Sequence, residues 1–141
     1  MNTAEWNQEL PEVIEDFVLW DVERGITKGS TPQAQWSKLF EEVIELFAAL
    51  NPAMNKGEIY KAVLTELNVL YRKDKIKGIP VGDNPQHHLE DAVGDSMKCL
   101  TSVANLSGIN LTNASKIALK EISARKGSLD PETGIWEKDD A

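Results

Sequence analysis

One stretch of the chain repeats its apolar residues with the period of an α-helix, and this periodicity constrains the fold more than any other feature. Between Thr31 and Asn51 the apolar side chains recur three and four residues apart, at Trp36, Leu39, Phe40, Val43, Ile44 and Phe47. Such spacing is typical of one face of an amphipathic helix. The Thr31-Pro32 pair matches an N-cap followed by the first helical residue, and Asn51-Pro52 matches the end of the helix.

The same periodicity predicts four further helices, near residues 10–25, 55–75, 84–108 and 111–125. No segment shows a convincing strand pattern with period two. A turn is expected at 130–134, where Pro and Gly fall close together. The sequence therefore predicts an all-α fold, most simply a helical bundle of about four to five helices.

The length, charge and cysteine content of the chain make several functional classes less plausible. The chain has 141 residues, 41% of them hydrophobic, which suits one domain with a core. Its net charge of −8 argues against non-specific binding to nucleic acid, which depends on clustered Lys and Arg. We expect no membrane association, because no long apolar run is present. Cys99 is the only cysteine, so no internal disulfide can form, and a cytoplasmic location with a small buried thiol is expected.

Two acidic pairs lie at helical spacing, Glu42 with Glu45 and Asp91 with Asp95. Two readings are open: solvated helix faces, or four carboxylates directed at one divalent cation. Mg²⁺ is the first candidate because it prefers oxygen ligands, and Mn²⁺ is a substitute. Three details favour a metal site. The glutamates have no basic residue four positions later, and Gly94 stands beside Asp95, where it permits close approach. Basic residues also cluster late in the chain, at Lys116, Lys120, Arg125 and Lys126.

These residues resemble the motifs of the MazG-like nucleotide pyrophosphohydrolases, the all-α NTP pyrophosphatases, in the short branch common in phage-derived sequences. Glu41-Glu42-Val43-Ile44-Glu45 is similar to that family's Glu-Glu-x-x-Glu motif. Other matching segments are Trp20 to Ile26, Pro32 to Leu46, Asp91 to Asp95, Glu121 to Gly127 and Gly134 to Lys138. The resemblance spans roughly Trp20 to Lys138, apart from one middle section.

The chain departs from the family pattern in three places. Ala92 stands where the second motif has Glu, so Asp91 is the candidate replacement. Ser102 stands where an Asn that often touches the nucleotide is usual. The interval from Glu45 to Asp91 is longer than in the family, which predicts a single domain over 1–141 with an inserted helix and loop at about 51–85 and a tail at about 128–141.

The resemblance implies a Mg²⁺-dependent enzyme that cleaves a nucleoside triphosphate to the monophosphate and pyrophosphate. It implies metal ligation by Glu42, Glu45, Asp91 and Asp95, and Glu41 as the residue that orients or deprotonates the attacking water. Substrate contacts are expected from Gln35, Lys38, Ser102, Lys120, Arg125 and Lys126. The expected assembly is a homodimer or homotetramer. The alternatives are a non-catalytic helical dimerisation module, or a phosphoribosyl-ATP pyrophosphatase or dUTPase-like relative of the same fold.

Overall fold

The computed structural model describes residues 8–139, and in this range the chain is predominantly helical. The prediction of an all-α fold is confirmed. The helices are α1 Leu10–Glu23, α2 Ile26–Gly29, α3 Pro32–Leu50, α4 Lys56–Arg72, α5 Pro85–Leu106 and α6 Leu111–Ala124. The short helix α2 is not among the helices that periodicity predicts. None of the described helices combines the length and the apolar character needed to cross a membrane.

Side-chain caps fix where four of these helices begin, and three of the capping residues, Thr31, Asn55 and Asn84, stand at the predicted starts of their helices. The hydroxyl of Thr31 accepts a hydrogen bond from the Ala34 amide at 3.1 Å. Asn55 and Glu58 form a reciprocal capping box at the start of α4. The side chains of Asn84 and Asn110 accept from amides in the first turns of α5 and α6. Each cap satisfies a backbone N–H that has no partner within the helix.

The chain divides into two compact units. Unit 1 comprises Met1–Gln35 and Asp91–Ala141, of which residues 8–35 and 91–139 are described, and unit 2 comprises Trp36–Glu90. The boundaries fall inside α3 and α5. The interval predicted as an insertion, at about 51–85, lies within unit 2.

Unit 1 contains the buried residues of the described chain. Here α1 packs against α6 and against α2. Val13 of α1 is fully buried, and Ile26 and Ala104 are 7% and 8% exposed. Lys116 of α6 is also buried, at 5% exposed. The rings of Trp20 and Trp136 meet edge to face, with centroids 5.0 Å apart.

A short antiparallel hairpin follows α6, and it contradicts the expectation that the chain has no strands. Strand β1, Gly127–Leu129, pairs with β2, Trp136–Lys138, so that Ser128 lies opposite Glu137. The predicted turn between them is present, with Gly134 at φ 71°. A Cβ atom at Gly127 would overlap the Glu137 carbonyl and the Trp136 ring, so the pairing requires glycine there. Strands of three residues are too short to show a period of two.

The hairpin is attached to the start of α3. The Ser30 hydroxyl donates to the Gly134 carbonyl at 2.6 Å. The Gln35 amide donates to the Ser30 hydroxyl at 3.0 Å and to the same carbonyl at 3.3 Å. These bonds hold the first turn of α3 in place within unit 1.

Unit 2 has a different character, because no residue from Trp36 to Glu90 is buried. Trp36 belongs to the predicted apolar face of α3, yet it is 59% exposed and stacks on Phe40 with ring centroids 5.5 Å apart. Cys99, on α5 in unit 1, is likewise exposed rather than buried. Periodicity predicted the apolar faces of these helices correctly but could not say what covers them.

Candidate metal centre

Helix α3 brings three glutamates together on one exposed turn. Glu41, Glu42 and Glu45 each offer a carboxylate oxygen, and these oxygens lie within 4.8 Å of one another. Residues three and four apart share a helix face, which explains the cluster. Oxygens in an octahedral Mg²⁺ site are separated by about 3 Å when adjacent and about 4.2 Å when opposite. Small rotations of exposed side chains would bring the three oxygens into that range, so the donor set fits a hard divalent cation.

Lys38 lies against this cluster. Its ammonium nitrogen is 3.1 Å from Glu41 Oε1 and 3.3 Å from Glu42 Oε1. Burial lowers the pKa of Lys38, but hydrogen bonds and the charges of Glu41 and Glu42 outweigh this and leave it raised. The glutamates have no basic residue four positions later, as the sequence shows, but the structure supplies a basic partner one turn earlier. Lys38 is therefore an internal counter-ion of the cluster.

Glu45 experiences the repulsion that Lys38 does not neutralise. The charge of Glu42, together with a hydrogen bond to it, raises the pKa of Glu45, and Glu41 adds to the same effect. A raised pKa means that the ionised carboxylate is disfavoured beside its neighbours. A bound divalent cation would reverse this balance, because it would attract all three carboxylates at once.

Asp91 and Asp95 lie one turn apart on an exposed face of α5. They belong to unit 1, whereas the three glutamates belong to unit 2, so the structure describes the two acidic faces separately. Within residues 8–139 the glutamate cluster is the one group of three or more acidic, His or Cys side chains whose ligand atoms lie that close together. A Cβ atom at Gly94 would meet no atom within 4 Å, so no close approach explains that glycine in the single chain.

Besides Lys38, two of the predicted substrate contacts have hydrogen bonds inside the chain. The side-chain amide of Gln35 donates to Ser30 and Gly134, which leaves its Oε1 as the atom to meet a base. The hydroxyl of Ser102 donates to the Lys98 carbonyl of its own helix at 3.2 Å. Both side chains therefore have structural roles in the fold.

The basic candidates lie at and beyond the end of α6. Lys120 lines a cleft of about 460 Å³ between α1 and α6, together with Trp20, Asp16, Glu23 and the buried Lys116. Lys116 belongs to the basic cluster that the sequence predicts. The two acids that α1 adds to the cleft, Asp16 and Glu23, were not predicted. Arg125 and Lys126 follow the helix and are exposed. The Lys126 carbonyl accepts a hydrogen bond from Asp139, which ties this segment to the hairpin.

Comparison with known proteins adds no relative. No protein-family model matches the chain, and no match was found among curated proteins or among solved structures. The likeness to the MazG-like enzymes thus stays a likeness of motifs and of their order. The functional conclusion depends on the residues themselves.

Proposed function

We propose that the chain is a Mg²⁺-dependent nucleoside triphosphate pyrophosphohydrolase. The observation that carries this assignment is the cluster of Glu41, Glu42 and Glu45 on one turn of α3. Three hard oxygen donors at this spacing suit Mg²⁺ or Mn²⁺, because the single charge of Lys38 does not balance three carboxylates. The ordered motifs that resemble the MazG-like enzymes add Asp91 and Asp95 as further ligands, and they supply the reaction.

The reaction adds water across the anhydride between the α and β phosphates. Mg²⁺, when bound, supplies positive charge to the phosphate oxygens and lowers the pKa of a coordinated water. Glu42 and Glu45 would hold the ion. Glu41 is adjacent and is the candidate to orient the attacking water and to accept its proton.

We assign Lys38 one role in the absence of metal and another in its presence. Without metal it neutralises Glu41 and Glu42, as its two short contacts indicate. If those carboxylates held the ion, the Lys38 ammonium would become available for a phosphate oxygen. Lys120, Arg125 and Lys126 are the further candidates for the phosphates, by the resemblance of their segment to the family motif.

A second candidate function is a non-catalytic helical dimerisation module. The exposed apolar faces of unit 2 favour it, and so does the Lys38 pairing, which makes the glutamates an ordinary salt-bridged surface. A phosphoribosyl-ATP pyrophosphatase or dUTPase-like activity keeps the same site and changes only the substrate.

Calorimetric titration with Mg²⁺ separates the enzyme from the module. The wild-type chain should bind Mg²⁺, and a panel of ribo- and deoxyribonucleoside triphosphates should release pyrophosphate. Glu42→Gln and Asp95→Asn should each lower turnover roughly 100-fold or more, since even residues that only support metal ligands cost 10- to 100-fold. Helix content, followed by circular dichroism, should not change.

The matched control is Glu66→Gln, which alters an exposed acid on α4 outside the cluster. It should leave both binding and turnover at wild-type values. Unchanged rates in both Glu42→Gln and Asp95→Asn would remove the metal assignment. Absence of Mg²⁺ binding by the wild-type chain would favour the module.

A further inference from the structure

Positive charge is concentrated in one short stretch of unit 2. Residues 72–77, the basic segment, hold four of the 15 Lys and Arg residues of the chain and one acid, Asp74. The four bases are Arg72, Lys73, Lys75 and Lys77. The chain as a whole carries a net charge of −8. A local excess of cations in an acidic protein raises the concentration of anions at that place.

The fold itself makes little use of these cations. All four are exposed, and within residues 8–139 none of them forms an ion pair with a carboxylate. The Nε of Arg72 donates to the Asn68 carbonyl of its own helix at 3.3 Å. The negative end of the α4 dipole accounts for Arg72 and Lys73, but that effect falls off within the last turn. Lys75 and Lys77 lie beyond it, so helix stability does not explain them.

The end of α4 fixes where the basic segment begins. The Lys75 amide donates to the Leu70 carbonyl at 2.8 Å, and the Asp74 amide donates to the Tyr71 carbonyl at 3.0 Å. With Asp74 at φ 57°, these bonds form a Schellman motif, in which a left-handed residue closes the helix. Residues 75–80 follow without helix or strand. The motif therefore holds Lys75 at the helix end, and Lys77 extends the positive charge away from it.

The basic segment and the glutamate cluster belong to the same unit. Helices α3 and α4 are joined by residues 51–55 and line one groove, with Phe40 and Leu67 among its walls, so they run antiparallel. At 1.5 Å per residue, the end of α4 then lies about 12 Å along the helix axis from Glu42. Residues 73–77 span up to about 17 Å when extended, so their lysines can reach a phosphate tail that starts at the cluster.

A phosphate tail needs more positive charge than the glutamate cluster offers. Lys38 is the internal counter-ion of Glu41 and Glu42, and the carboxylates would balance much of the charge of a bound Mg²⁺. Enzymes that act on nucleoside triphosphates meet the charge of the phosphates with lysine and metal together. Outside the basic segment, the bases of unit 2 are Lys38, Lys56 and Lys61. The basic segment is therefore the largest source of cations in the unit that carries the cluster.

We propose that the basic segment binds the phosphate tail of the nucleotide whose metal ion is held by the glutamate cluster. Lys75 and Lys77 are the central contacts, and Lys73 is the third. The inference rests on the proposed function for the identity of the nucleotide. It gives the interval at about 51–85, which lengthens this chain relative to the MazG-like pattern, a role in substrate binding.

Calorimetric titration of the full chain with inorganic tripolyphosphate, in the presence of Mg²⁺, tests the contact without requiring hydrolysis. Lys75→Gln combined with Lys77→Gln should lower the affinity for tripolyphosphate about tenfold or more, because two charged hydrogen-bond donors are lost. Titration with Mg²⁺ alone should match wild type. The matched control is Lys28→Gln combined with Lys61→Gln, which removes two exposed positive charges outside the segment and should keep the wild-type affinity.

Steady-state kinetics with nucleoside triphosphates provide a second readout. The Lys75→Gln, Lys77→Gln variant should raise KM about tenfold and leave kcat nearly unchanged, since contacts to the outer phosphates are made equally in the ground state and the transition state. An unchanged KM beside active wild type would contradict the inference and leave the proposed function intact.

The binding experiment has three outcomes that overturn the inference. They are a wild-type chain that does not bind tripolyphosphate, a double variant that binds it as tightly as wild type, and a control that loses as much affinity as the double variant. Lysine-dependent binding of tripolyphosphate without turnover of any nucleotide would support the phosphate site and count against the proposed reaction, so the two proposals fail separately.

Discussion

The two units of the chain differ in where their stability comes from. In unit 1, Val13 is fully buried, α1 packs on α6, and the hairpin is hydrogen bonded to Ser30 and Gln35. In unit 2 the helices are equally well capped and equally amphipathic, yet no side chain is buried. Local signals therefore suffice to define helices, but of the two units as described only unit 1 also has buried side chains that hold its helices together. Unit 2 is expected to depend on association.

Replacement of the fully buried residue of α1 should produce the largest effect. Val13→Asp places an unpaired charge where no solvent reaches, which should lower the free energy of unfolding of unit 1 by more than about 3 kcal/mol. Chemical denaturation followed by circular dichroism measures it. Val18→Asp is the matched control on the same helix, since Val18 is 55% exposed, and should cost less than about 1 kcal/mol. Equal losses in the two variants would show that unit 1 has no core of its own.

Dilution of the protein should have the next largest effect, and it should change the stability of unit 2 but not that of unit 1. If unit 2 is held by a second copy, tenfold dilution should lower the stability of α4 by about 1.4 kcal/mol through mass action. Amide hydrogen exchange in α1 and α6 should not respond, because their contacts lie within one chain. Protection of α4 that is independent of concentration would contradict the difference between the units.

Helix caps should give an effect of about 1 kcal/mol in each unit. Asn55→Ala removes the capping box of α4, and Asn110→Ala removes the cap of α6. Both should lower the stability of their own helix, and hydrogen exchange resolved along the chain should show it. Only Asn55→Ala should also weaken self-association, because α4 carries exposed apolar side chains of unit 2, such as Tyr60 and Leu64. Equal weakening by the two variants would mean that the interface extends to unit 1.

The sequence predicted the features that depend on neighbours along the chain. The starts of α3, α4 and α5 were correct, since a cap acts within three residues. The glutamate cluster was also predictable, because one helix turn determines it. Burial was not: Trp36 and Leu39 follow the same periodicity as a core face, yet both are more than half exposed. Periodicity identifies an apolar face, whereas its cover depends on contacts between distant segments or other chains.

The hairpin and the acidic pair on α5 show the same limit. Strands of three residues carry no readable alternation, and their pairing depends on Gly127 accommodating the Trp136 ring. The spacing of Asp91 and Asp95 predicted a shared helix face. It could not determine which other side chains approach that face. Site residues within one helix were therefore predicted more securely than a site that needs two.

Glu45→Gln should give the smallest effect, and it links the metal centre to the stability of unit 2. Glu45 repels Glu41 and Glu42 across one helix turn, and like charges at this spacing cost about 0.2–0.5 kcal/mol. In the absence of metal the variant should therefore be more stable than wild type by that amount at neutral pH. Mg²⁺ should reverse the order, because only the wild-type chain keeps all three carboxylates to bind it.

The pH dependence of this difference identifies its cause. The folded chain holds the pKa of Glu45 above its ordinary value of 4.5, so within that window the folded state binds more protons than the unfolded state. Wild-type stability should thus be complete below about 4.5 and decline as the pH rises through the raised pKa, whereas Glu45→Gln cannot titrate there. Thermal unfolding of both proteins across this range should show curves that coincide at low pH and separate above it. A constant offset at every pH would mean that the substitution acts through helix propensity or packing, and that the glutamates do not repel one another strongly enough to favour a cation.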